Sequence, residues 1–247
     1  MATISRTTDY PTGDGKPMAE TEVHGRAMMD LIITLSDHVA DDPMAYAWGN
    51  MLMFYEQGNR RRHLSPDVFF VRGIPKRVRL NYLIWEEGKA PDLVIEVTSK
   101  STRREDQVKK RDLYRDVLRV PEYIQFDPLA EYLRPPLQGL RLVEGEYRPI
   151  EAVAGRLPSE VLGLHFEARG DELRLYSPEL GRWLPTRKER AEESEARARA
   201  AEAELAESEA RARAELAESE GRARAAEAEL DRLRREIEAL RGRAEGG

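Results

Sequence analysis

A short apolar run with a carboxylate near each end is the segment of this sequence best suited to chemistry. It reads Ala90-Pro91-Asp92-Leu93-Val94-Ile95-Glu96-Val97-Thr98-Ser99. Side chains four residues apart share one face of a β-strand, so Asp92 and Glu96 are expected on the same face. Burying two carboxylates is costly unless a positive charge lies between them, and Mg²⁺ is commonly held by one or two carboxylates plus water. The segment therefore predicts a Mg²⁺ or Mn²⁺ site with Asp92 and Glu96 as ligands.

A second Pro-Asp pair opens an earlier apolar run, Ser65–Val71. If the two strands are neighbours, Asp67 brings a third carboxylate to the same end of the sheet. Pro-Asp before an apolar run is also a common turn-to-strand signal, so either pair alone leaves a purely structural interpretation open. The joint occurrence of both pairs with a glutamate inside an apolar strand favours the metal site.

The helix predicted after this strand, residues 103–118, carries the adjacent lysines Lys109 and Lys110. Its core-facing side is expected to be marked by Val108, Leu113 and Val117. Lys110 lies one turn before Tyr114 on a face flanking that side. Adjacent lysines are usually solvated, but a lysine above a carboxylate site could orient an attacking water or stabilise phosphate charge.

Other polar residues give weaker signals. The basic cluster Arg60-Arg61-Arg62 is expected to face solvent, and it could meet a phosphate backbone. His24, on the first predicted helix, is expected to be a helix-surface residue rather than a base. The sequence holds no phosphate-binding Gly-rich loop and no serine nucleophile elbow.

The elements that must position these residues form a mixed α/β pattern. Apolar residues at three- to four-residue spacing predict a helix over Glu20–Val39. Strands are predicted at 45–55, 67–72, 80–86, 93–98 and 122–127. The 93–127 region is a strand–helix–strand unit with its first strand central in the sheet, and the helix has Ser101 or Thr102 as its N-cap. Short strands over 130–177 predict a β-meander or hairpin lobe attached to the mixed sheet.

Composition narrows the class of protein. The 247 residues include no cysteine, which excludes disulfide scaffolds, thiolate metal sites and cysteine nucleophiles. No apolar stretch is long enough for a signal peptide or a membrane span, so a cytoplasmic protein is expected. All aromatic residues and prolines lie within residues 1–186. We therefore expect a flexible arm over 1–19, a globular domain over 20–185 and a separate tail over 186–247.

The tail is a charged repeat without aromatic residues or proline. Residues 187–247 hold 14 Arg and Lys and 17 Asp and Glu, which with the abundant alanine predicts one long helix. Coiled-coil spacing is kept only near its end, by Leu230, Leu233, Ile237 and Leu240. Two interpretations stay open: a single solvated helix stabilised by Glu–Arg pairs, and self-association or partner binding through the seam.

Two runs of this sequence resemble those of a known family. The run PDLVIEVTSKSTRREDQVKKRDLY followed by VPEYIQFDP resembles the Uma-two family of restriction-endonuclease-like proteins, over roughly residues 20–180. The resemblance implies a PD-(D/E)XK nuclease core that cuts phosphodiesters with a metal-activated water. It assigns the strand glutamate to Glu96 and the metal aspartate to Asp67 or Asp92. The nuclease fold often has an acidic residue on its first helix, so the resemblance also makes Glu22 a candidate for a further metal contact. The lysine expected two residues after the glutamate is Thr98, so the resemblance moves its role to Lys110.

Two functions follow from these residues. The first is a Mg²⁺- or Mn²⁺-dependent DNA endonuclease, acting as a homodimer because cutting both strands needs two sites. The second is a nuclease-fold scaffold that binds a partner through the coiled-coil tail. The net negative charge of the domain favours the second, since phosphate contacts normally require a basic face. The set Asp67, Asp92, Glu96 and Lys110 favours the first.

Overall fold

The computed structural model describes residues 10–13, 21–99 and 105–244. Most of the predicted arm and the predicted caps Ser101 and Thr102 lie outside these residues. The chain divides into two compact units, residues 1–188 and 189–247. No helix among the described residues combines the length and apolar character needed to cross a membrane.

The elements of the described residues alternate between helices and short strands. In chain order they are α1 (Glu22–His38), β1 (Ala45–Trp48), β2 (Met53–Phe54), β3 (His63–Leu64), β4 (Val68–Arg72), β5 (Tyr82–Leu83), α2 (Ile84–Glu87), β6 (Leu93–Val97), a π-helical turn (Glu105–Lys110), α3 (Arg111–Asp116), β7 (Glu122–Phe126), β8 (Leu137–Val143), β9 (Glu146–Pro149), β10 (Leu157–Ser159), β11 (Leu164–Arg169), β12 (Glu172–Ser177), β13 (Arg182–Trp183) and α4 (Arg187–Ala244).

A six-stranded mixed sheet forms the centre of the first unit, in the order β1-β4-β6-β7-β8-β9. Strands β6 and β7 are parallel, and the other neighbours are antiparallel. All five residues of β6 and of β7 are buried, which confirms the predicted central strand and the strand–helix–strand unit. The predicted α/β class with a mixed sheet is therefore confirmed.

The two faces of this sheet are covered by different layers. Helix α1 packs Ala27, Leu31 and Leu35 against one face, together with apolar residues of the β10–β13 sheet. Its N-cap is Thr21, whose side chain accepts a hydrogen bond from the backbone N–H of His24, and the predicted first helix is confirmed. On the other face, Tyr114 and Leu118 from the region of α3 join Val94 and Tyr123 in a second core.

Two predicted strands differ from the structure. The predicted strand 45–55 is interrupted between β1 and β2, which belong to different sheets, because Asn50 adopts a left-handed backbone conformation with φ of 48°. In the predicted strand 80–86, only β5 is extended, and the chain then forms the single turn α2. That turn ends at Gly88, whose φ of 71° is easily adopted by glycine.

The predicted meander lobe is divided between two sheets. Strands β8 and β9 form a hairpin that extends the central sheet, while β10–β13 form a separate four-stranded antiparallel sheet. A buried ion pair joins the two: Glu122 on β7 accepts hydrogen bonds from Arg141 on β8 and from Ser159 on β10. Because Glu122 is 1% exposed, these donors offset the cost of burying its charge.

The helix after β6 is less regular than its sequence predicts. Its first described part is the π-helical turn, in which hydrogen bonds run from residue i to i+5 rather than i+4. Val108 and Val117, predicted to face the core, are 48% and 56% exposed, whereas Tyr114 is fully buried. The prediction is wrong for both valines, because they are about two and a half helical turns apart and cannot share one face; Leu113 does pack partly against the core.

The second unit is formed by most of α4, a 58-residue helix. Its side chains over residues 191–237 are exposed, including Leu205, Leu216, Leu230, Leu233 and Ile237. Arginines and glutamates four residues apart pair along it, as in Arg199–Glu195 and Arg213–Glu209. Such exposed pairs each stabilise a helix by only a few tenths of a kcal/mol, so the helix depends on many of them. The predicted seam residue Leu240 lies outside the described side chains.

Gly49 gives a direct test of the packing between β1 and β4. A Cβ atom at this position would lie 1.9 Å from the carbonyl oxygen of Asp67 and 2.7 Å from Ile32 Cδ1. We expect Gly49→Ala to lower the free energy of unfolding by about 1–3 kcal/mol or more, measured by urea denaturation. Gly25→Ala is the control, because Gly25 lies in α1 with open space around it and alanine is the better helix former by about 1 kcal/mol. Equal stability of both variants would contradict this packing.

Candidate active site

Glu96 is the only carboxylate on the fully buried strand β6, and its side chain has no exposed surface. Lys110 lies 2.9 Å from its Oε2 atom and donates a hydrogen bond to it. Tyr114, one helical turn further on, donates its hydroxyl proton to Oε1 over 2.7 Å. The charge of Glu96 is therefore balanced by an ammonium and a phenol from the same helical segment.

Asp67 lies beside Glu96, one residue before β4. The antiparallel register pairs Val68 with Ile95, which places Asp67 opposite Glu96 at this end of the sheet. Its Oδ2 atom accepts a hydrogen bond of 2.8 Å from the backbone N–H of Val97, and its own N–H lies 3.4 Å from Glu96 Oε2. These two contacts fix the two carboxylates next to each other across neighbouring strands.

His24 approaches the same aspartate from α1. Its Nε2 atom lies 3.5 Å from Asp67 Oδ2, and the residue is 7% exposed. The prediction of a helix-surface histidine is therefore wrong. The missed signal is its spacing from Met28, Leu31 and Leu35, which places His24 on the buried stripe of α1.

The expected convergence of three carboxylates is wrong for Asp92. This residue precedes β6, four residues from Glu96, and strand geometry separates the two by about 13 Å. Asp92 instead pairs with Lys89 at 2.9 Å and accepts a hydrogen bond from the backbone N–H of Arg72. It shares a face with Glu96 but belongs to the opposite end of the strand, so it joins neither Asp67 nor Lys110.

The remaining predicted residues lie at the surface. Glu22 is exposed in the first turn of α1, and Lys109 is exposed beside the inward-facing Lys110. The exposed cluster Arg60-Arg61-Arg62 occupies the loop between β2 and β3, where Arg62 lies 3.4 Å from Glu56. These arginines face solvent, as expected.

The electrostatics of the site follow from burial. Burial, and next the neighbouring charge of Glu96, raise the pKa of Tyr114 well above its usual range, so the phenol stays protonated and donates to Glu96. At Thr98, where the nuclease motif has lysine, the side chain is buried and its hydroxyl contacts that of Tyr132. Among the described residues, Lys110 is the lysine that reaches Glu96.

The donor set suits a hard divalent cation that keeps part of its water shell. Asp67 and Glu96 supply carboxylate oxygens, which Mg²⁺ prefers, and Mg²⁺ is usually held by one or two carboxylates rather than by a full protein cage. Among the described residues, no group of three or more histidine or acidic side chains forms a metal cluster. The site therefore fits a magnesium ion with two protein carboxylates and does not fit a closed structural metal centre.

Comparison with known proteins gives one family match. The model of the family Uma2, described as "Putative restriction endonuclease", matches residues 7–175. Among solved structures, a protein from Anabaena variabilis ATCC 29413, described as "a putative nuclease belonging to DUF820", is similar at a TM-score of 0.43 and 18% identity, over 60% of this chain and 76% of that chain. No curated protein has a significant match.

Removal of the Tyr114 hydroxyl tests the environment of Glu96. Tyr114→Phe takes a donor from a buried charged group, so we expect it to lower the free energy of unfolding by about 1.5–3 kcal/mol in urea denaturation. Tyr147→Phe is the matched control, because the Tyr147 hydroxyl donates to the neutral carbonyl of Val120 and its loss should cost about 1 kcal/mol. A smaller loss for Tyr114→Phe than for Tyr147→Phe would contradict a charged, buried Glu96.

Proposed function

Because the chain belongs to the Uma2 family of restriction-endonuclease-like proteins, we propose that it is a Mg²⁺- or Mn²⁺-dependent DNA endonuclease. The observation that carries this proposal is the cluster where β4 begins and β6 ends. There the fully buried Glu96 lies beside the carboxylate of Asp67, and the ammonium of Lys110 lies 2.9 Å from Glu96 Oε2. Buried carboxylates with a nearby lysine are costly to retain for structure alone, and such arrangements are concentrated at functional sites.

The proposed roles follow from the chemistry of each side chain. Asp67 and Glu96 would hold the cation, which when bound supplies an activated water and neutralises phosphate charge. Lys110 would orient the attacking water or stabilise the developing charge on the phosphate, because its ammonium carries three donors on a flexible stem. Asp92 has no role in this proposal.

The proposed substrate contacts lie outside the carboxylate pair. Arg60, Arg61 and Arg62 would meet the phosphate backbone, where exposed arginines position a duplex without reading its sequence. Residues 1–186 hold 26 Arg and Lys and 29 Asp and Glu, so they carry no general attraction for DNA. Local contacts would therefore have to supply affinity, and a homodimer would double them.

Metal binding is tested by thermal unfolding of the full chain. We expect Mn²⁺ or Mg²⁺ to raise the melting temperature, because a ligand that binds only the folded state stabilises it. The double variant Asp67→Asn with Glu96→Gln should lose this shift. Asp92→Asn should retain the full shift and is the matched control. Loss of the shift in Asp92→Asn, or its persistence in the double variant, would place the metal elsewhere.

The lysine is tested by plasmid nicking in Mn²⁺. We expect Lys110→Met to reduce the nicking rate by about 100-fold or more, a loss typical of removing one charge-stabilising donor, while the metal-induced rise in melting temperature persists. Lys109→Met should nick like the unaltered protein, because Lys109 is exposed and its neighbour alone reaches Glu96. Failure of the unaltered protein to nick DNA in either metal would favour the scaffold function.

The tail supports a second proposal, which is compatible with either function. Exposed apolar side chains recur near its end, at Leu230, Leu233 and Ile237, with three- to four-residue spacing. We propose that this part associates with a second copy or with a partner helix, because an apolar seam on an exposed helix is the usual basis of a coiled coil. Upstream, alanine occupies most seam positions and offers little apolar area.

Sedimentation tests the tail. We expect the full chain to sediment as a weak dimer and a chain ending at Pro185 to be a monomer or a weaker dimer. Leu233→Glu with Ile237→Glu should act like the truncation, whereas Ala212→Glu should have little effect. A truncated chain that is as dimeric as the full chain would contradict dimerisation through the tail.

A further inference from the structure

Gln125 is the last but one residue of β7, directly beside the candidate active site. The parallel register pairs Gln125 with Glu96, so the two side chains project from the same face of neighbouring strands, about 4.8 Å apart in the backbone. Asp67 lies opposite Glu96 on the other side. Asp67, Glu96 and Gln125 therefore form one row across three strands.

The side-chain amide of Gln125 is buried without a matching acceptor. The residue is 6% exposed, and within the part of the chain that the structure describes its Nε2 atom has no hydrogen-bond partner. A buried donor that is left unpaired costs free energy, and such groups are uncommon in folded proteins. An apolar residue would fill this strand position at no such cost.

The next residue along the row shows the usual arrangement. Gln138 on β8 is paired in register with Gln125. Its Nε2 atom donates to the backbone carbonyls of Arg134 and Pro135, at 2.9 and 3.3 Å. The amide of Gln138 therefore binds the backbone of the loop before β8, whereas the amide of Gln125 lies beside the carboxylate pair.

We propose that Gln125 is a substrate-binding residue, whose amide N–H donates to a non-bridging oxygen of the phosphodiester that a cation held by Asp67 and Glu96 would attract. This proposal rests on the proposed nuclease function. A phosphodiester has two non-bridging oxygens and one negative charge, so a phosphate drawn to the cation of the carboxylates still has an oxygen that needs a donor. A neutral amide supplies that donor without changing the charge of the site, and it complements the ammonium of Lys110.

Three variants of the full chain test the proposal. Gln125→Met keeps the length of the side chain and removes the donor, Gln125→Glu replaces the donor with a repelling charge, and Gln138→Met is the matched control. The measurements are the melting temperature without added ligand, the anisotropy of a short fluorescein-labelled DNA duplex in Ca²⁺, and plasmid nicking in Mn²⁺.

We expect opposite patterns for the two methionine variants. Gln125→Met should keep or raise the melting temperature, because it removes an unpaired buried donor, and should lower duplex affinity and nicking together by roughly 10- to 100-fold. Gln125→Glu should lower both further. Gln138→Met should lower the melting temperature and leave duplex affinity and nicking within about threefold, since its hydrogen bonds are internal.

The outcomes separate this proposal from the function on which it rests. If the unaltered protein nicks DNA and Gln125→Met binds and nicks equally well, Gln125 does not contact the phosphate and the nuclease function stands. A lower melting temperature for Gln125→Met, with unchanged affinity, would show a structural role and would overturn the proposal. If the unaltered protein neither binds the duplex nor nicks the plasmid, both the nuclease function and the Gln125 contact are contradicted.

Discussion

The buried charge of Glu96 is the constraint on which the arrangement of this domain depends. A carboxylate with no exposed surface on a central strand costs several kcal/mol in lost hydration unless donors replace the water. Three are provided within the described residues: the Lys110 ammonium, the Tyr114 hydroxyl and, at 3.4 Å, the backbone N–H of Asp67. They come from two different elements, so the helical segment after β6 and the entry into β4 are both positioned by one side chain. The hydrogen bonds to this charge connect the helical layer to the sheet. An apolar residue at the same position would contribute only apolar contact area.

The two side-chain donors of Glu96 come from one face of the helical segment after β6. Lys110 is the last residue of the π-helical turn and Tyr114 lies in the regular helix α3. The two are four residues apart, so helical spacing places them on the same side, and Leu118, four residues further on, is also buried. Val108 and Val117 are nine residues apart, or about two and a half turns, so a regular helix could not bury both on one face. The polar donors, and not the valines, therefore mark the side of this segment that faces the sheet.

Local patterns were enough to predict much of the fold and part of the site. Helix α1, the central strands β6 and β7 and the contribution of Glu96 follow from periodicity within a few residues of each position. Which of Asp67 and Asp92 lies beside Glu96 does not follow from such local patterns, because a period of two assigns a strand residue to a face and says nothing about which end of the strand meets its neighbour. The pairing of Val68 with Ile95 places Asp67 beside Glu96, and that register is a long-range property. The position of His24 could be predicted only in part. Its spacing from Leu31 indicates the buried stripe of α1, but its approach to Asp67 depends on how that helix crosses the sheet.

The same cluster connects both faces of the central sheet. His24 reaches Asp67 from α1, which packs on one face, while Lys110 and Tyr114 reach Glu96 from the layer on the other face. Since the backbone N–H of Asp67 also donates to Glu96, and that of Val97 donates to Asp67, any change in the charge of either carboxylate acts on both layers at once. A lysine suits this position better than an arginine would, because its compact ammonium can leave one oxygen for another without a fixed bidentate geometry. In the proposed nuclease, the ammonium that stabilises Glu96 in the folded chain would also stabilise the charge of the phosphate, so stability and activity would depend on the same group.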